Sequence, residues 1–139
     1  MKIKKLTAFV CAVLMMSSIF AISVSANIGY QRFRVYINGG AVVSSFAYTK
    51  SGIADSMYTY TNKYPGTSVN WLSSETVNLR GRTSSGTKCT ALGTRNTEGS
   101  RYLKYDPGYG RMNTAYKVAV QYDSSNPYTN LDLGVTWEP

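Results

Sequence analysis

Thr114-Ala115-Tyr116-Lys117-Val118-Ala119-Val120-Gln121-Tyr122 and, after a break, Thr129-Asn130-Leu131-Asp132-Leu133-Gly134-Val135-Thr136-Trp137 decide the fold class. The first stretch places Tyr116, Val118, Val120 and Tyr122 on one face and Ala115, Lys117, Ala119 and Gln121 on the other. The second places Leu131, Leu133, Val135 and Trp137 together. Apolar residues at every second position describe a strand with one buried face, because successive side chains of an extended chain point to opposite sides. Asp123-Ser124-Ser125-Asn126-Pro127 interrupts the two with turn-forming residues.

The same period recurs upstream. Gln31 to Ile37 sets Phe33, Val35 and Ile37 against Arg32, Arg34 and Tyr36, and Asn38-Gly39-Gly40 follows as a hairpin or tight-turn signal. Ala41 to Tyr48 is β-prone. Met57 to Thr61 alternates Tyr58 and Tyr60 with Met57, Thr59 and Thr61, and Tyr64-Pro65-Gly66 is a turn. Ser68 to Leu72 aligns Val69 with Trp71, and Thr76 to Arg82 sets Val77 and Leu79 against Asn78 and Arg80. Thr83-Ser84-Ser85-Gly86 reads as a turn, Lys88 to Leu92 groups Cys89 with Ala91, Arg101 to Tyr105 is a short aromatic run, and Asp106-Pro107-Gly108 turns again. Seven to nine short strands separated by turns predict an all-β protein: a single antiparallel β-sandwich or small barrel. Ser51 to Tyr60 is the one segment with a helical alternative.

The N-terminus reads differently. Met1-Lys2-Ile3-Lys4-Lys5 is cationic, the run to Ile22 is apolar, and Val24-Ser25-Ala26 offers small residues at the −3 and −1 positions of a cleavage site. This is the pattern of a secretory signal peptide, residues 1–26, with a secreted domain over 27–139. An uncleaved anchor fits less well: Leu6 to Ile22 is 17 residues long and includes Thr7, Ser17 and Ser18, whereas a span wants about 20 mostly apolar residues. Cys11 lacks a lipobox. Cleavage leaves 113 of the 139 residues, one domain's worth, and removes Lys2, Lys4 and Lys5, so the net charge falls from +8 to +5. It also leaves Cys89 with no intrachain partner, either a small buried hydrophobe or a candidate for an intermolecular disulfide.

The remaining charge is segregated. Arg80, Arg82, Lys88, Arg95, Arg101, Lys104 and Arg111 fall in one third of the mature chain with only Glu98 and Asp106 among them. The rest is neutral. A basic cluster draws anionic polymers, and arginine grips phosphate bidentately. Tyr102, Tyr105 and Tyr109 lie among these charges as candidate stacking rings. The competing reading is a solvated edge that keeps the sheet from pairing with other chains.

Catalytic chemistry finds little footing. The chain has no histidine, which removes the commonest general base and the usual zinc ligand. Glu75, Glu98, Asp106, Asp123, Asp132 and Glu138 could pair as glycosidase carboxylates, but none sits in a motif. Asp123 to Asn126 is too poor in carboxylates for a calcium loop, and Gly39-Gly40 and Gly108-Tyr109-Gly110 are turn glycines. No catalytic residue, metal site or cofactor is expected.

The signal, Phe33-Arg34-Val35, Trp71-Leu72 and a closing hairpin of Tyr116 to Val120 with Leu131 to Trp137 resemble a domain family of unknown function among small exported proteins of Gram-positive bacteria. The layout is similar, more faintly, to lactococcin 972-type bacteriocins, secreted β-sandwich peptides rich in Tyr and Gly that act at the cell envelope. This chain is longer than those and lacks their histidine. The resemblances imply a β-sandwich and an envelope setting, and carry over no site residue. The sequence thus predicts a secreted, non-catalytic protein that binds anionic wall polymers or a membrane surface, ahead of nucleic acid, through residues 80–111. A bacteriocin-like toxin and a self-associating extracellular protein are the alternatives.

Overall fold

The structure is a computed structural model that describes residues 27–36, 39–63, 76–122 and 130–139. Among them are nine strands and no helix. The strands are β1 (Gly29–Tyr36), β2 (Val42–Val43), β3 (Tyr48–Thr49), β4 (Ser56–Lys63), β5 (Val77–Thr83), β6 (Gly93–Arg95), β7 (Gly99–Lys104), β8 (Ala115–Tyr122) and β9 (Asn130–Glu138). Ser51 to Tyr60, the helical alternative, contributes the first half of β4 instead. The expected strand at Ser68 to Leu72, with Trp71, lies outside the described residues, as do the turns at Tyr64-Pro65-Gly66 and Asp123 to Pro127.

The strands form two antiparallel sheets. The first has the order β1-β9-β4-β7; the second has β2-β8-β5-β6, with β3 also on β8. The two most strongly alternating strands are the spines of different sheets. The expected closing hairpin is therefore corrected: β8 pairs with β5 and β9 with β1 and β4. Each carries an apolar face that must be covered, and the two faces cover each other across the sandwich. Likewise β1 and β2, which flank Asn38-Gly39-Gly40, are not hairpin partners. Gly39 N–H donates to Tyr36 O at 3.0 Å, closing a tight turn, but the chain then moves from the first sheet to the second.

One core lies between the sheets. Phe33, Val35, Leu131, Leu133, Val135 and Trp137 come from β1 and β9, with Met57 and Leu103 from β4 and β7. Val77, Leu79, Tyr116, Val118, Val120 and Tyr122 face them from β5 and β8. On β4 the inward positions after Met57 are Thr59 and Thr61, both buried; their hydroxyls donate to Arg101 O and Gly99 O at 2.8 and 3.2 Å, which satisfies them. Tyr58 and Tyr60 therefore point outward. On β5, Gly81 takes the inward position after Leu79 because a Cβ there would lie 2.5 Å from Thr90 Cγ2.

Lys88 to Leu92 is not a strand, and Cys89 and Ala91 do not share an environment. Cys89 is buried and Ala91 exposed. This segment stitches the sheets along one side. Cys89 N–H donates to Gly81 O at 3.1 Å, Asp106 N–H donates to Cys89 O at 3.0 Å, and Ala91 N–H donates to Lys104 O at 2.8 Å. Beyond it, Asp106-Pro107-Gly108-Tyr109 closes with Tyr109 N–H on Asp106 O at 3.0 Å; proline second and a glycine at φ 88° third are what a type II turn requires.

Candidate functional site

Pairing register decides which of the basic residues meet. On the outer face of the second sheet Arg80 lies opposite Ala119 and Arg82 opposite Lys117, and Arg82 also bridges to Lys88. Arg80, Arg82 and Lys88 thus gather around a shallow depression of about 60 Å³ floored by Ala119 and bordered by Leu92 and Gln121. The small Ala119 lets long side chains lie down beside it. Arg82 Nη1 donates to Gly86 O at 2.7 Å, which fixes that guanidinium, while Nε of both Arg80 and Arg82 is buried with no acceptor among the described residues. No carboxylate of the described residues sits on this face. Lys117 completes the group; it falls outside the 80–111 segment, and only strand pairing brings it in.

The other four predicted cations go elsewhere. Arg95 folds back on its own turn, donating from Nη2 to Glu98 O at 2.9 Å. Arg101 shares the inward parity of β7 with Leu103, and its stem lies 3.1 Å from where a Cβ of Gly93 would be, at the rim of the sandwich. Lys104 stands on the outer face of the first sheet, opposite Ser56. Arg111 is exposed in a loop held by Tyr116, whose hydroxyl accepts from the N–H groups of Gly110 and Arg111 at 2.9 and 3.0 Å.

The three candidate rings also part company. Tyr105 is buried against Tyr116, ring centroids 5.1 Å apart, and burial pushes its phenol well above the usual range. It offers no face to a ligand: β7 reaches the core at Leu103 and, two residues on, its parity carries Tyr105 in as well. Tyr109 is exposed at the type II turn. Tyr102 is 68% exposed on the outer face of the first sheet, 5.4 Å from the Tyr58 ring at a 60° tilt. Cys89 is fully buried, and burial pushes its thiol up to about 11, with nearby Asp106 adding to the shift. Of the two readings of Cys89, its burial matches the small buried hydrophobe, and a buried neutral thiol is not presented to a second chain.

The outer face of the first sheet has a different chemistry. Asp132 projects from β9 between Arg32 and Arg34 of β1. Arg34 meets it from Nη2 at 2.8 Å and from Nε at 3.1 Å, and Arg32 Nη2 lies 3.2 Å away. The hydrogen bond from Arg34 holds the Asp132 carboxyl below its ordinary range, against the opposing effect of burial. Tyr30, Tyr36 and Tyr60 are exposed on the same face, and Tyr102 is exposed toward the other end of the sheet, in the row of Tyr58 and Glu138. Beside Tyr102 a cleft of about 500 Å³ is walled by Tyr58, Glu138, Ser51 and Ser56.

Lys50, which no motif or charge cluster of the sequence singles out, is set apart from the other cations by its burial. It is fully buried, its ammonium 5.1 Å from the Tyr105 ring centroid and without a hydrogen-bond acceptor among the described residues. Desolvation lowers its pKa, opposed by Glu138 and Asp55. Nothing in its local sequence, Tyr48-Thr49-Lys50-Ser51, signals burial; the backbone bonds Lys50 N–H to Thr114 O and Asn113 N–H to Lys50 O tie the residue down.

Asp132 and Glu138 stand six residues apart on β9, Asp55, Glu98 and Asp106 lie outside the strands, and among the described residues no three of His, Cys, Asp and Glu converge on a point that could hold a metal. Glu75 and Asp123 lie outside those residues. No protein-family model matches the chain, nor does any curated protein or solved structure.

Proposed function

We propose that this chain is an exported, non-catalytic module that attaches to anionic polymer or anionic membrane of the cell envelope through the outer face of its second sheet. The observation that carries the reading is the convergence of Arg80, Arg82, Lys88 and Lys117 on one strand-paired surface with no carboxylate of the described residues among them. Clustered charges over a low-dielectric wall focus potential, and a guanidinium can grip phosphate oxygens bidentately. The proposal narrows the basic segment: Arg95, Arg101, Lys104 and Arg111 are spectators of this contact. Export supports it, since wall polymers and lipid headgroups are the abundant anions outside a cell. Sequencing the N-terminus of protein recovered from the medium should give Asn27.

Cosedimentation of the mature protein with isolated walls, and with vesicles of anionic lipid, tests the contact. Binding should weaken steeply with added salt, because each neutralised anion releases a counterion. Salt-indifferent binding, or none, counts against it.

A further inference from the structure

We propose that the outer face of the first sheet is a second, independent binding surface, a platform for a neutral glycan chain with the cleft beside Tyr102 as its main subsite. In register, Tyr30 of β1, Thr136 of β9 and Tyr60 of β4 form one row across the sheet. Two strand spacings, about 10 Å, separate the backbones that carry the two rings. Between them the strand carries only Thr136 and, one row on, Gly134, over which Tyr30 leans: a Cβ at Gly134 would lie 2.7 Å from the Tyr30 hydroxyl. The result is an aromatic strip in which Tyr30 lies across β9 and meets Asn62 of β4 over Gly134. It runs toward Tyr58 and Tyr102, where the cleft of about 500 Å³ has the size of a small-ligand site.

The chemistry of the walls selects the ligand. A pyranose has an apolar face of C–H groups and a rim of hydroxyls. Tyr102 presents a ring for the first; for the second, Glu138 accepts hydrogen bonds, Ser51 donates or accepts, and Ser56, whose hydroxyl donates to Asp55 Oδ1 at 2.9 Å, accepts. A purely apolar ligand would desolvate the Glu138 carboxylate without replacing its hydrogen bonds. A polyanion would be repelled by that carboxylate, and the arginines of this face are already engaged by Asp132. A cation would meet Lys104, paired with Ser56 at the cleft's edge. A neutral, hydroxyl-rich ring satisfies all of these groups. The two faces thus take different ligands, and each can fail without the other.

Calorimetric titration of the mature chain with cellohexaose and with chitohexaose is the test. At least one hexamer should bind, with an affinity that added salt leaves unchanged. Tyr102→Ala should weaken it about tenfold or more, the worth of one stacked ring; Tyr102→Phe should retain it, and Arg80→Glu should bind like the parent. Tyr102 is mostly exposed, so its variants should melt with the parent protein, which a thermal scan verifies. Titration of neither hexamer, parent-like binding by Tyr102→Ala, or loss in Arg80→Glu would each overturn the proposal.

Discussion

The two outer faces of this sandwich are built by the same rule and end in opposite chemistry. Both consist of the alternate positions left over when a strand buries its apolar side. On the first sheet those positions pair Arg32 and Arg34 against Asp132 and add Tyr30, Tyr36, Tyr60 and Tyr102, with Lys104 and Glu138 at the other end. On the second they gather Arg80, Arg82, Lys88 and Lys117 around Ala119 with no counterion among the described residues. The core between them depends little on this choice, so the faces are free to specialise. Alternation also explains why a basic segment is not a basic patch. Arg101, Tyr102, Leu103 and Lys104 are neighbours in sequence, yet they go in turn to the rim, the first outer face, the core and the first outer face again.

The sharpest way to break the contrast is charge reversal on the second face. Arg80→Glu/Arg82→Glu/Lys88→Glu should weaken binding to anionic vesicles about a hundredfold or more, on about 1 kcal/mol per cation near an anionic surface. Arg95→Glu/Arg111→Glu should have a far smaller effect, and equal losses from the two variants would dissolve the distinction.

An overpacking change beneath the same face should act on stability alone. Gly81→Val forces a side chain into Thr90 and Met57 and should cost about 2–3 kcal/mol, read by denaturant unfolding at unchanged vesicle affinity per folded molecule.

The shared core should show itself in alkali. The Cys89 thiol is raised from 9.0 to about 11 in the folded chain, so the stability it contributes is complete below pH 9 and drains away as pH rises through 11. The loss amounts to about 2 kcal/mol by pH 11. Tyr105, raised by burial, adds in the same direction at higher pH, whereas Lys50, lowered by burial, opposes them: its penalty lifts as pH rises through its folded value. Cys89→Ala should flatten the unfolding profile between pH 9 and 11; an unchanged profile would mean the thiol is not buried.

The smallest effect should come from the ion cluster of the first face. The Asp132 carboxyl is lowered from 3.8, so its contribution is present above that pH and lost as pH falls through the folded value. Asp132→Asn should cost about 1 kcal/mol at pH 7, since both arginine partners are half exposed, and the two proteins should converge in acid. The released arginines should also give the first face a weak, salt-sensitive affinity for anionic vesicles. If none appears, counterion pairing is not what separates the faces.

The sequence by itself determined the strands of longest alternation, the all-β class and the identity of most core residues. Period two in β8 and β9 needs no partner to be read, because it reflects the geometry of one extended chain. The type II turn at Pro107-Gly108 was legible for the same reason: it is a local φ requirement. Tertiary structure alone decided which strands pair. It separated β8 from β9 into different sheets, turned Lys88 to Leu92 from a strand into a stitch between sheets, and buried Lys50 and Tyr105. It also brought Lys117 to Arg82 and Asp132 to Arg34, about a hundred residues apart in the latter case. Register between distant strands is set by how two apolar faces fit together across the core, and no run of neighbouring residues records it.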